Sequence, residues 1–504
     1  MGTPLLEPVN IGFAELHIAT LMPMLIAIGG GLLILVLDLM KDKLDKSLYV
    51  MFTILILLVD LGSVLGLEYQ NGFFDVLLID GLAILAQVTI LVGSMLFIPL
   101  ALTSKRFHEY SYPEFFALFL FMVAGFQFMV SSDNLILIFV GLETASLSLY
   151  TLIALHNRAN SFEASVKYFT MGALSAGFFA MGSAVLYGLS GSLELNQISV
   201  ALQSRMDEAG VMFLILGGAS MLLVAFAFKL SLFPFHTWAP DVYEGASSPL
   251  AGFMSVVPKL AAFVVSMRIF EMFIALNIDG VQEIILCLSV VTMTIANIMA
   301  LVQEDVKRML AYSSISHAGF VMAAVALATV KANSSIFLYY GLFMFTNLGA
   351  FTMLWVSRHK DTVHHTRFDH PYEKFAGMIK IMPVGAVVMA LFMLSLAGVP
   401  PFSVFWGKIY IMSASVDSGY LWLAVVMGLN SAISAYYYLK LIVYMFLKEP
   451  TDMVTKEITY YNVSKPLLTI LGLAVFVTVG SMFYVDPLLE TITEMIKQSG
   501  IGFN

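Results

Sequence analysis

The sequence predicts an all-α integral membrane protein of about 14 transmembrane helices, with two inverted five-helix repeats that each contain a broken helix. Three observations predict it. Of 504 residues, 60% are hydrophobic and only 12% charged, whereas soluble domains carry roughly 25% charged residues; the mean hydropathy is +0.90. Apolar runs of about 20 residues recur along the chain, which suits membrane helices rather than the alternating strands of a barrel. Two of those runs are too long for one crossing and share the same interruption.

The runs place spans near 16–39, 46–68 and 78–103, an N-terminal three-helix segment within 1–110. Spans 4 to 8, near 114–130, 132–156, 162–189, 209–245 and 249–275, make the first repeat, 111–277. Spans 9 to 13, near 281–302, 308–330, 334–357, 375–413 and 417–447, make the second, 278–448. A loop and span 14, near 464–486, occupy 449–504. Sixteen Lys and Arg, from Lys41 to Lys465, fall in loops that join odd spans to even ones; the opposite side holds only Arg205, Arg268, Lys331 and Lys497. That bias predicts a cytoplasmic face for the first set and both termini on the outer side.

Spans 7 and 12 would each exceed about 50 Å as unbroken helices. Span 7 carries KLSLFPFHTWAPD from Lys229 to Asp241, and span 12 carries LSLAGVPPFSVFWGK from Leu394 to Lys408. Leu-Ser-Leu, Pro-Phe and Trp recur in that order, five spans apart. An odd offset puts the copies in opposite orientations, as inverted-repeat transporters with discontinuous helices do. Freed backbone groups at that depth require a hydrated, protein-lined cavity. Two unrelated proline kinks are the alternative.

The net charge of −9 is scattered over short loops and gives no support to nucleic-acid binding. Cys287 is the single cysteine, so no disulfide, thiolate cluster or iron–sulfur site can be built. The 32 methionines are dispersed and read as packing residues. MGTPLLEPVN lacks a basic region, which predicts no cleavable signal. His359, His364, His365 and His370 crowd one charged loop, where no carboxylate or cysteine pattern completes a ligand set, and they read as a solvated loop rather than a metal site.

Glu143, Lys229, Lys259 and Lys408 stand inside stretches of Leu, Ile, Val, Phe, Ala and Gly. An ionisable group at bilayer depth costs at least ~2.5–3.5 kcal/mol, so four of them demand partners, water or a path. Arginine stays charged under nearly all conditions, whereas desolvated lysine can release its proton. Glu143 and Lys229 would satisfy each other as an ion pair, and a separable pair modulates a neighbour's proton affinity. Lys259 has no carboxylate nearby in sequence and is the best candidate for a titrating group. Lys408 follows the second break, with snorkelling to the interface as its competitor. Lys167 lies four residues after Glu163, where a surface pair accounts for it. His236, in the first break, and His317, in YSSISHAG, are the polar residues that extend a path. Asp60 lies deep in span 2 with no role assigned.

QEDVKRMLAYSSISHAGF, Gln303 to Phe320, resembles the signature of the antiporter-like membrane subunits of proton-pumping NADH–quinone oxidoreductase, respiratory complex I. KLSLFPFHTWAPDVYEGASSP from Lys229, GLE at 141–143, VKYFTMGALSAG at 166–177 and LAGVPPFSVFWGK ending at Lys408 are similar to the same family in the same order. The chain looks most like the N type, the homologue of mitochondrial subunit 2, since it stops soon after span 14 and carries lysine at 408. The resemblance implies that Glu143 and Lys229 are the family's ion pair, Lys259 its central lysine, Lys408 the end of its second half-channel and Lys167 its sixth-span lysine. It implies a chain with no cofactor of its own, and fourteen spans without a targeting segment point to a bacterial inner membrane, with an organelle-encoded homologue as the alternative. FMN, iron–sulfur clusters, NADH and quinone are expected in other subunits, and partners are expected among membrane-arm subunits, including an adjacent M-type one. Two rival readings share these motifs: a subunit of a multisubunit cation/proton antiporter or membrane-bound hydrogenase, and a scaffold of the membrane arm.

Overall fold

The computed structural model of the chain describes residues 17–40, 45–103, 108–278, 280–356, 370–450 and 464–502. Its N-terminal helices are α1 (Met22–Met40), α2 (Lys46–Leu65) and α3 (Gly81–Phe97), with an antiparallel hairpin, β1 (Gln70–Gly72) and β2 (Leu77–Ile79), between the last two. Gln70 pairs with Ile79. The chain then forms α4 (Pro113–Val130), α5 (Leu135–Ala154), α6 (Ala159–Ser190), α7 (Leu195–Arg205), α8 (Val211–Lys229), α9 (Trp238–Gly245), α10 (Ser248–Met254) and α11 (Val257–Ala275). The third group is α12 (Val281–Leu301), α13 (Val306–Leu327), α14 (Val330–Val356), α15 (Met378–Ile381), α16 (Pro383–Ala397), α17 (Ser403–Asp417) and α18 (Leu421–Leu447). Last come α19 (Lys465–Gly480) and α20 (Val485–Gln498).

Two helix starts beside the interior carry side-chain caps: Asn134 Oδ1 accepts the amides of Ile136 and Leu137 ahead of α5, and Asp305 accepts the Arg308 amide ahead of α13. Every residue of α13 except Arg308 is buried, and α11 and α14 pack against it. The outer helices turn apolar side chains outward, among them Leu32, Leu55, Phe169 and Phe476, a surface suited to lipid or neighbouring subunits. At the α4–α5 crossing, a Cβ on Gly141 would fall 2.6 Å from the Gly125 carbonyl. The two backbones approach that closely only because both positions are glycine.

Twelve helical stretches among the described residues are long and apolar enough to cross a membrane. Expected span 12 is two shorter helices, α16 and α17, and expected span 13 is the more polar α18. Three elements lie where loops or span ends were expected: the hairpin, α7 and α20. Helix α20 escapes an apolar-run reading because its buried Val485, Ile492 and Ile496 alternate with acids at helical period. Expected span 8 is interrupted between α10 and α11, where Pro258 opens α11. Arg268, counted above with the outer loop charges, is instead buried within α11. It holds Asp80 with two hydrogen bonds of 3.0 and 2.7 Å, so it is an internal ion pair and not an orientation marker. His359, His364 and His365 lie outside the described residues. His370 lies within them, its amide donating to Asp305 Oδ2 at 2.7 Å, and no metal-ligating cluster is found among the described residues.

Candidate functional site: a buried series of lysines

Glu143, on α5, faces Lys229, the last residue of α8, with 3.7 Å between Lys229 Nζ and Oε1. At that separation they attract without a hydrogen bond. The ammonium instead donates to Ser146 Oγ at 2.8 Å, one turn beyond Glu143. Glu143 Oε1 is buried with no hydrogen-bond partner among the described residues. The pair is therefore loose, and an ion pair in that condition separates at lower cost than a bidentate one.

The first break, residues 230–237, follows directly. Thr292 Oγ1, from α12, accepts the Phe233 amide at 3.0 Å, and the Trp238 indole donates across the gap to the Phe228 carbonyl at 3.1 Å. The peptide bond at Phe233–Pro234 is cis, as is that at Pro400–Pro401 in the second break. Between Lys229 and the start of α11 lies a cavity of about 20 Å³, lined by Ser146, Tyr168, Lys229, Pro258, Ala262 and apolar side chains. That volume holds one water. Lys259, adjacent to Pro258, is 1% exposed and donates to Ser314 O at 2.9 Å and Ser314 Oγ at 2.7 Å.

Ser314 belongs to α13, whose polar residues continue the series. Neighbouring Ser313 hydrogen-bonds the Tyr438 hydroxyl. His317, one turn on, bonds Tyr438 through Nε2 at 3.1 Å and Tyr339 through Nδ1. Phe320, a further turn on, lies under Lys408, with 5.4 Å from Nζ to the ring centroid. Lys408, 3% exposed, donates to the carbonyls of Leu396 and Ala397 at 3.1 and 3.2 Å. Those are the free carbonyls at the C-terminus of α16, where the helix dipole favours a cation. Its ammonium is thus turned inward onto the break rather than out to an interface.

The structure brings Glu143, Lys229, Lys259, His317 and Lys408 into one interior succession. Lys167 and His236 stand apart from it. Lys167 pairs with Glu163 at 2.7 Å, as its spacing predicts, and also with Asp241 at 2.9 Å. Asp241 and Glu244 share Arg308, so the three form part of a half-exposed charge cluster that ties α9 to α6 and α13. His236 is buried in the break with its ring stacked on Phe233 and its Nδ1 without a hydrogen-bond partner among the described residues. Asp60 also lies apart, both oxygens accepting from Gln127 Nε2 at 2.9 and 3.1 Å.

The hydrogen-bonding partners along this succession that the sequence did not single out are neutral: Ser146, Ser313, Ser314, Tyr339 and Tyr438. Tyr437 and Asn297, bonded at 2.9 Å, extend the polar interior towards Asn430. A residue such as Asn297 inside IANIMAL was the available signal.

A family model described as NADH:quinone oxidoreductase/Mrp antiporter, TM, matches residues 132–434. A Sulfurovum sp. (strain NBC37-1) protein named NADH-quinone oxidoreductase subunit N is 69% identical over 98% of this chain and 100% of its own length. The chain belongs to the NADH-quinone oxidoreductase subunit N family. The subunit N of Sulfurimonas denitrificans is 59% identical, over 98% of this chain and 100% of its own. Among solved structures, a chain of respiratory complex I from Thermus thermophilus superposes with a TM-score of 0.75 at 28% identity, covering 93% of this chain and 99% of that one. A chain of an archaeal membrane-bound sulfane sulfur reductase shares the fold, with a TM-score of 0.80 at 23% identity over 95% of this chain and 98% of that one. The NADH:quinone oxidoreductase/Mrp antiporter match over 132–434 spans the ion pair, both breaks and all three interior lysines.

Proposed function

We propose that this chain is a proton-translocating subunit of the membrane arm of a bacterial inner-membrane NADH–quinone oxidoreductase, and that it performs no redox chemistry itself. The observation that carries this reading is the interior succession from Glu143 and Lys229 through Lys259, Ser314 and His317 to Lys408. Redox energy released in other subunits, which hold the cofactors, reaches this chain as a conformational or electrostatic pulse. The loose Glu143–Lys229 pair opens, the ammonium left without its counter-ion repels the proton on Lys259, and that proton moves along α13 towards Lys408. The bonds of Lys229 to Ser146, of Lys259 to Ser314, and of His317 to Tyr438 and Tyr339 supply exchange partners along that line. Lys167 and His236 would act at the margins, Lys167 by holding α9 beside the first break.

The same reading takes the paired breaks, at 230–237 and 398–402, as the centres of two inverted repeats over 111–277 and 278–448, in a chain of 14 spans with both termini on the outer side. The recurring Leu-Ser-Leu, Pro-Phe and Trp support it, as does an indole donating to a backbone carbonyl in each copy, Trp238 to Phe228 at the end of α8 and Trp406 to Pro401 within the second break.

Replacing Lys259 with Ala and measuring NADH-driven proton pumping in the reconstituted complex tests the function. Pumping should fall to a small fraction with assembly intact. Undiminished pumping would sink the relay, and loss of assembly alone would favour a scaffold.

A further inference from the structure

The second break holds four hydroxyls that the relay does not use. Thr346 on α14, Ser395 on α16, Ser403 on α17 and Thr478 on α19 are each 0% exposed. Thr346 Oγ1 lies 2.9 Å from Ser403 Oγ, 2.9 Å from Thr478 Oγ1 and 3.4 Å from Ser395 Oγ. Ser395 and Ser403 are 3.1 Å apart, and Ser395 Oγ accepts the Val404 amide from the first turn of α17 at 3.3 Å. Four helices thus meet at one knot of neutral hydrogen bonds, in an interior where unpaired hydroxyls would be penalised.

Ser395 sits in the last turn of α16, and an account of that turn's carbonyls shows what the knot secures. Gly398 N donates to Ser395 O at 2.9 Å and Val399 N to Leu394 O at 3.1 Å. The next two carbonyls, Leu396 O and Ala397 O, receive Lys408 Nζ. Their direction is set by the turn that Ser395 anchors, and the turn has no helical continuation to hold it. Ser231, which occupies the equivalent place in the first Leu-Ser-Leu, has a buried Oγ with no hydrogen-bond partner among the described residues. The knot therefore belongs to the break that faces a lysine with two carbonyls, and is not a general device for closing breaks.

We propose that Thr346, Ser395, Ser403 and Thr478 are positioning residues for Lys408: their hydroxyl knot fixes the α16 terminus so that two carbonyls receive the ammonium. The inference rests on the reading of Lys408 as a proton-relay residue. None of the four touches the lysine nitrogen, so their action runs through the backbone.

Isosteric and smaller variants separate hydrogen bonding from packing. In the whole complex, Thr346→Val keeps the volume and removes the hydroxyl, while Thr346→Ser keeps the hydroxyl and loses a methyl group. NADH-driven proton translocation should fall about tenfold in the valine variant, the weight of one buried hydrogen bond left unmade, and stay near the parent rate in the serine variant. Thr478→Val and Thr478→Ser repeat the comparison from the peripheral α19, should the first valine variant fail to assemble. Valine variants that pump normally, or serine variants that fail as badly as valine, would overturn the positioning role. Lys408→Ala is measured alongside. If it pumps normally, the relay reading itself falls; if it is inactive while the valine variants are normal, only the knot is refuted.

Discussion

Arg268 and Asp80 show a buried ion pair held tightly in this protein, with only Arg268 Nε lacking a hydrogen-bond partner among the described residues. Two guanidinium nitrogens hold both carboxylate oxygens, and the same carboxylate accepts the Ala83 amide at the head of α3. Removing one partner strands the other in the interior, and Asp80→Asn should destabilise the subunit by about 3–5 kcal/mol. Thermal unfolding of the detergent-solubilised complex checks it. Glu143 and Lys229 are built the opposite way, apart by 3.7 Å and sharing no hydrogen bond. Glu143→Gln should therefore cost little stability while pumping falls severalfold, and equal thermal stability with parent-like pumping would refute its role. Gly398 supplies a third case. Its φ is +86°, and an added Cβ would lie 3.0 Å from Lys408 Cδ. Gly398→Ala should add about 1–3 kcal/mol of backbone strain and displace the ammonium, seen as lost pumping in an assembled complex.

Among the helices, α13 organises the site. It touches Lys259 through Ser314, Tyr438 through Ser313 and His317, and Lys408 through Phe320. Its enclosure on all sides removes any lipid-facing stripe, which is why its hydrophobic pattern shows no preferred face. The α4–α5 crossing governs the other end of the series, because α5 carries Glu143. Gly141→Val would drive a side chain into the Gly125 carbonyl and force the helices apart, at a cost of about 1–3 kcal/mol. Lower yield of assembled complex in native gels is the expected outcome, already with Gly141→Ala, whose Cβ alone meets the Gly125 carbonyl, and more so with valine.

Over the whole molecule, what could be read from the sequence divides by chemistry. Glu143, Lys229, Lys259 and Lys408 were visible because a charge in an apolar run is an energetic anomaly that needs no neighbour to be noticed. Both breaks were visible because Pro and Gly act locally. Ser314, Tyr339 and Tyr438 were not, since hydroxyls are ordinary in membrane helices and these meet their partners across 55, 22 and 121 residues of sequence. His236 drew notice by sitting in a break, yet a single chain cannot report which way a ring turns. The hairpin and α20 were hidden for another reason: both are short amphipathic surfaces that no hydrophobic run announces.

The cavity beside Lys229 has a bearing on selectivity. At about 20 Å³ it accommodates a single water among largely apolar walls. A sodium ion crossing there would have to shed most of its hydration shell with no ring of carbonyls to replace it. A proton makes no such demand, since it advances by exchanging bonds along whatever oxygen bridges the gap. On the proposed proton relay, replacing external sodium with choline should therefore leave pumping unchanged.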